Sequence, residues 1–179
     1  MEPIEAEAIE RVRAGDPDAF RVFVDRYSRN VFKLAFRLTR NQHDADDVVQ
    51  ETFLRAYKHL HSFDSRSSFG TWIHRIAANS AFDLLRRRER NSAEELDPET
   101  AGPGHDDVVS RLGFRDALER GFSLLSRNER AAFVLRHYEG MSIAEIGEIL
   151  GTETSATKNT IFRAVGKLRQ VLQPLVSAT

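Results

Sequence analysis

The sequence predicts an all-α protein made of two small helical domains joined by a flexible acidic linker. Three observations carry this. Apolar residues recur at three- and four-residue steps on both sides of the middle of the chain, no alternating strand pattern competes, and the tract from Asn91 to about Asp107 holds two prolines, two glycines and almost nothing to bury. A length of 179 residues fits one ordinary domain or two small ones, and a hydrophobic fraction of 41% supplies enough apolar material for cores. The expected boundaries are 1–90 and 111–179 for the domains and 91–110 for the linker.

In the first domain, Phe20, Phe23, Tyr27, Val31, Leu34 and Leu38 mark the buried stripe of a long amphipathic helix from Asp18 to Leu38. A second helix begins near Asp44 and is expected to bury Val49, Phe53, Ala56 and Leu60. A third runs from about Phe69 into the arginine cluster at Arg86, Arg87, Arg88 and Arg90. The second domain opens with a helix carrying Leu112, Ala117, Leu118 and Phe122. Two capping boxes follow, Ser126 with Glu129 and Ser142 with Glu145, each marking a helix start. Glu139-Gly140-Met141 makes a tight connection, Gly151 closes the helix from Ser142 to Leu150, and a last helix starts around Ser155. A short helix, a turn and a longer helix form a helix-turn-helix pattern.

The chain has no cysteine, which excludes disulfides, thiolate metal sites and a cysteine nucleophile. The start, Met-Glu-Pro-Ile-Glu, is acidic and unlike a signal peptide, and no apolar run reaches membrane-spanning length, so a soluble cytoplasmic protein is expected. With 26 basic and 27 acidic residues, the net charge of −1 argues at first against a nucleic-acid partner. The charges are segregated, however. Acid gathers at Glu2, Glu5, Glu7 and Glu10, at Asp44, Asp46, Asp47 and Glu51, and from Glu94 to Asp107; base gathers at Arg86 to Arg90 and along Lys158, Arg163, Lys167 and Arg169. Local contact with nucleic acid is compatible with such a distribution, and the acidic faces are left for a protein.

At one hundred degrees per residue, Asp47, Gln50, Glu51 and Leu54 share one side of the second helix. From spacing alone this is a solvated face whose acids favour the helix N-terminus. A metal site from His43, Asp44 and Asp47 lacks the ligand count that a divalent ion demands. On the third helix Arg75, Asn79, Phe82 and Arg86 form a stripe able to hold phosphates and contact an unstacked base, with Arg86, Arg87 and Arg88 adding charge; arginines serving solubility are the plain alternative. The polar loop from His61 to Phe69, bracketed by Phe63 and Phe69, offers its serines and Asp64 to the edge of an extruded base, while Phe69 is assigned to the core. On the last helix Ile161, Val165, Leu168 and Leu172 are expected to form the buried seam, leaving Asn159, Arg163 and Gln170 outward with Lys158 and Phe162 on the flanks, groups suited to a major groove.

Taken in order, these segments resemble the two domains of extracytoplasmic-function sigma factors, the small group of the sigma-70 family. Asp44 to Tyr57 is similar to the family's polymerase-binding helix. The resemblance implies that Asp47, Gln50, Glu51 and Leu54 dock on a coiled coil of the largest subunit of core RNA polymerase, in place of the solvated face that spacing favours. Phe63 to Asn79 is similar to the segment that opens the minus-ten element. That assigns minus-ten contacts to Phe63, Asp64, Ser67, Ser68, Arg75, Asn79 and Phe82, with Arg86, Arg87 and Arg88 on the backbone. The stretch from Leu125 is similar to the minus-thirty-five reading domain, with Lys158, Asn159, Phe162, Arg163 and Lys167 at the DNA. Thr160 stands where a basic residue is common and Asn159 where serine is common, so promoter preference does not carry over.

The resemblance implies further that the second domain meets the polymerase flap, that the tether lies in the active-site and exit channel, and that an anti-sigma protein holds the chain inactive. It implies no cofactor, no metal and no catalysis by this chain; promoter DNA is bound both as duplex and as single strand. Two rivals stand beside it. One is a helix-turn-helix regulator acting without polymerase, and the other a helical metal-dependent hydrolase using His43, Asp44, Asp46 and Asp47.

Overall fold

Residues 2–64, 67–92 and 109–176 are described by a computed structural model; of the expected linker, 91–110, residues 93–108 lie outside them, while its first two and last two residues belong to helices. The described residues contain helices and turns and no strand. They belong to two units, Met1–Thr100 and Ala101–Thr179, each with its own core.

Pro3, acceptable at the first position of a helix because its missing N–H has no intrahelical partner there, opens α1 (Pro3–Arg13). This helix is absent from the sequence expectations, although Ala8, Ile9 and Val12 carry helical spacing and all three are buried. The long helix predicted from Asp18 is split at its start. Asp16 accepts the Asp18 N–H at 3.1 Å and Pro17 follows, making a 3-10 turn over Pro17–Phe20 before α2 (Arg21–Thr39). Asn41 then caps α3 (Gln42–His59) by accepting the Asp44 N–H at 3.1 Å. A second 3-10 turn, Leu60–Ser62, leads through the loop to α4 (Phe69–Ser92).

Helices α2, α3 and α4 pack on one another, and α1 lies against α2 and the Leu60–Ser62 turn. The centre is aromatic. Phe23 and Phe69 stack at 4.0 Å, Phe20 meets Tyr57 edge-on at 5.2 Å, and Phe63 stands edge-on to Phe69 at 5.6 Å. The seam of α3 runs through Ala45, Val48, Thr52, Phe53 and Ala56, with Val49 only half-buried.

The second unit comprises α5 (Val109–Ser123), α6 (Arg127–His137), α7 (Ile143–Leu150) and α8 (Thr154–Val176), with α8 packed on the other three. Both predicted capping boxes are formed: the Ser126 hydroxyl accepts the Glu129 N–H at 3.2 Å, and that of Ser142 accepts the Glu145 N–H at 3.3 Å. Gly151 adopts φ 66°, the left-handed value that lets α7 end abruptly. The expected seam of α8 needs correction. Thr157, Thr160, Ala164 and Leu168 are buried, whereas Ile161 and Val165 are half-buried. Thr157 lies against Gly147, where α7 and α8 approach, while Ala164 and Leu168 join Leu125 in a cluster against Phe122 and Phe133.

Candidate functional site

The α3 face that sequence spacing groups together is exposed in the folded unit: Asp47, Gln50 and Glu51 surround Leu54, which is 54% accessible, and Tyr57 lies a turn further on. A leucine so exposed among acids contributes nothing to its own core. Glu51 is joined to Arg55 at 2.5 Å, and Arg55 reaches Asp83 of α4 at 2.9 Å, so α3 and α4 are cross-braced at the edge of this face. Asp44, by contrast, is buried, with Arg88 of α4 at 2.5 Å from its carboxylate. Burial pushes the Asp44 carboxyl above its ordinary range, the Arg88 cation opposing and the nearby Asp47 adding to the rise. A carboxylate turned inward onto a guanidinium does not join a metal site with its neighbours, and no group of three or more His, Asp or Glu side chains among the described residues is placed to hold an ion.

Along α4 the predicted stripe is only partly presented. Asn79 is exposed and donates through Nδ2 to the Arg75 carbonyl at 3.0 Å, Arg75 is half-buried, and Arg86 and Arg87 are exposed. Phe82 is 1% accessible and belongs to the core, so it offers no ring to an unstacked base; the Arg86 guanidinium lies 5.9 Å from its ring centre. Arg88 is drawn toward Asp44. In the loop, Phe63 is 3% accessible and packs on Phe69 and Trp72, which corrects its assignment as a base contact. Asp64 is exposed and Ser67 half-buried, while the Ser68 hydroxyl accepts the Thr71 N–H at 3.1 Å and so caps α4; Ser65 and Arg66 lie outside the described residues. Sequence reasoning did not single out Trp72, Arg55, His59 and Ser62, which line a groove with Ile76 and Asn79. Trp72, three residues after Phe69 on the same helix, was the available signal.

On α8, Lys158 and Asn159 are exposed and Phe162 is 79% accessible, an extreme value for an aromatic side chain. Arg163 is exposed too, although tethered: its Nε lies 3.4 Å from Glu129 and its Nη2 donates to Thr160 Oγ1 at 3.3 Å. Lys167 has partners within its own unit. Its ammonium is 2.7 Å from Glu129 Oε2 and 3.3 Å from the Leu124 carbonyl, contacts that tie α8 to the start of α6. Glu129 itself is 4% accessible; burial raises its carboxyl, but the hydrogen bonds from Lys167 and the Ser126 backbone outweigh this and hold it below the usual carboxylate range.

The sequence matches the family model described as Sigma-70 region 2 over residues 23–91 and that described as Sigma-70, region 4 over residues 115–168. Along nearly its whole length it is 33% identical to the ECF RNA polymerase sigma factor SigW of Bacillus subtilis, covering 98% of this chain and 100% of that one. The chain belongs to the extracytoplasmic-function RNA polymerase sigma factors. This sigma factor is also 34% identical to the ECF RNA polymerase sigma-E factor of Haemophilus influenzae, over 94% of this chain and 95% of that one. Among solved structures it is similar to CnrH, determined in complex with the cytosolic domain of CnrY, with TM-score 0.59, 27% identity and coverage of 96% and 98%. With both regions of the family present, the reading as a helix-turn-helix regulator independent of polymerase falls. Among the described residues of this sigma factor, no helix is long and apolar enough to cross a membrane.

Proposed function

We propose that the sigma factor mounts on core RNA polymerase through the α3 face, grips the upstream promoter element with the start of α8, and captures the opened downstream strand against α4. The observation that carries this is Leu54, 54% accessible in the midst of Asp47, Gln50 and Glu51. An exposed apolar residue beside two carboxylates and an amide suits a protein partner whose surface is basic with an apolar pocket, such as a coiled coil of the polymerase's largest subunit. The flap is proposed to receive the second unit. Asn79, Arg86 and Arg87 supply an amide and two cations for a single strand, and Asp64 and Ser67 flank the loop through which a base would leave the stack. Lys158, Asn159, Phe162 and Arg163 present one face to a major groove.

No bond is made or broken by these groups. Backbone contacts and base capture offset the few kcal/mol of unstacking, and the chemistry of transcription belongs to polymerase. The factor works in the cytoplasm, under an anti-sigma protein; a neighbour's capture with a cytosolic partner domain supports this regulatory side of the reading. The direct test is Asp47→Arg combined with Gln50→Ala. Neither side chain is buried, so the fold should persist by circular dichroism while affinity for purified core polymerase drops by at least tenfold; unchanged affinity would refute the docking assignment.

A further inference from the structure

Glu129 is a carboxylate that the sequence explains only as half of a capping box, yet its geometry does more. Through Oε2 it accepts the Ser126 N–H at 2.9 Å and pairs with Lys167 at 2.7 Å; through Oε1 it stands 3.4 Å from Arg163 Nε. Thus a buried acid at the start of α6 meets two cations of the DNA-facing helix, one turn apart. The two are treated differently. Arg163 stays 62% accessible, held at Nε by Glu129 and at Nη2 by Thr160, while its Nη1 takes no part in either contact. Lys167 points its ammonium at Glu129 and at the Leu124 carbonyl.

We propose that Glu129 is a specificity-setting positioning residue: it fixes the pose in which Arg163 meets a base edge, and it withholds Lys167 from the phosphate backbone. The inference rests on the reading of α8 as the upstream-element helix. A long arginine without tethers samples many rotamers and contacts phosphate and base indiscriminately, whereas one pinned at two nitrogens presents its remaining edge in a single direction. An additional ammonium at the backbone would raise affinity for every sequence alike and add to the salt dependence.

The test uses Glu129→Gln, because glutamine also serves at this position of a capping box and the start of α6 is preserved. Two readouts separate the two cations. Binding of the full chain to a random-sequence duplex is followed by anisotropy across salt concentration, and upstream-element discrimination is followed by run-off transcription with core polymerase, using a promoter selected by the unaltered factor and single-base variants of it. Glu129→Gln should steepen the salt slope by about one phosphate contact and lower discrimination about fivefold. Adding Lys167→Ala should return the slope to its original value without restoring discrimination. Thr160→Val, which keeps the shape of the side chain and removes the second tether of Arg163 together with a bond internal to α8, from the hydroxyl to the Ala156 carbonyl at 2.9 Å, should lower discrimination and leave the slope alone. Phe162→Ala is run in parallel: if it too leaves promoter choice intact, the placement of α8 on DNA fails, whereas sensitivity to Phe162→Ala with no change in Glu129→Gln and Thr160→Val overturns the role of Glu129 alone.

Discussion

Phe82 and Phe162 are both phenylalanines beside arginines on helices expected to meet DNA, and folding sends them to opposite fates. Phe82 lies at the rim of a buried arc that starts at Phe69 and passes through Ala77, Ala81 and Ala78, roughly 220° of the helix at 100° per residue. A helix flanked by two others buries more than half its circumference, so a residue that spacing places with Arg75 and Asn79 is enclosed. Phe162 has α8 packing only behind it and remains 79% accessible. Phe82→Ala is therefore expected to destabilise the first unit by about 3–5 kcal/mol in chemical denaturation, and any loss of promoter opening in that variant reports lost fold. Phe162→Ala should leave the denaturation midpoint unmoved.

At the scale of elements, Gly147 decides how closely α7 and α8 approach. A Cβ there would stand 2.7 Å from the Thr152 carbonyl and 3.1 Å from Thr157 Oγ1, and the first of these is backbone that cannot swing aside. Gly147→Ala should lower the thermal midpoint of the second unit, with a cost of about 1–3 kcal/mol from forced separation. Only parts of the fold were legible in the sequence. Helix ends marked by Ser126, Ser142 and Gly151 could be read directly, since capping is a local matter of a hydroxyl, a carboxylate and a positive φ. Helix faces were harder. Ranking residues by apolarity puts Ile161 and Val165 in the seam of α8, but Thr157, Thr160 and Ala164 are the ones buried, Thr157 beside Gly147 and Ala164 in the cluster with Leu125 and Leu168. On α3, Ala45, Val48 and Thr52 are buried while Val49 is only half-buried, and the exposure of Asp47 and Glu51 was legible because charged groups seldom pack inside. The pairing of Lys167 with Glu129 is not legible, because the partner lies 38 positions earlier in sequence, beyond the reach of any helical-wheel argument.

Across the whole molecule, the two units have separate cores, and each hides carboxylates that respond differently to acid. Glu129 titrates below its ordinary range in the folded state, so its contribution is present above the unfolded carboxyl pKa and is lost as pH falls through the folded one. Asp44 titrates above its range; it favours the fold when protonated, and that contribution disappears as pH rises through the folded value. Calorimetry should resolve two transitions, and between about pH 5 and 3 the second unit's should fall more steeply than in Glu129→Gln.

Helix α1 bears on where a minimal working piece of this factor begins. Arg13 Nη2 reaches the Phe63 carbonyl at 2.5 Å and the Leu60 carbonyl at 3.5 Å, and Glu5 accepts the Tyr27 hydroxyl at 2.5 Å beside Gly70 and Phe69. The described flanks of the loop, at Leu60 and Phe63 on one side and Gly70 on the other, are thus braced by residues upstream of 23, where the region 2 match starts. A fragment cut at that boundary would retain α3 yet lose both braces, and on the function proposed above it would be a misleading stand-in for the longer chain in a promoter-melting assay.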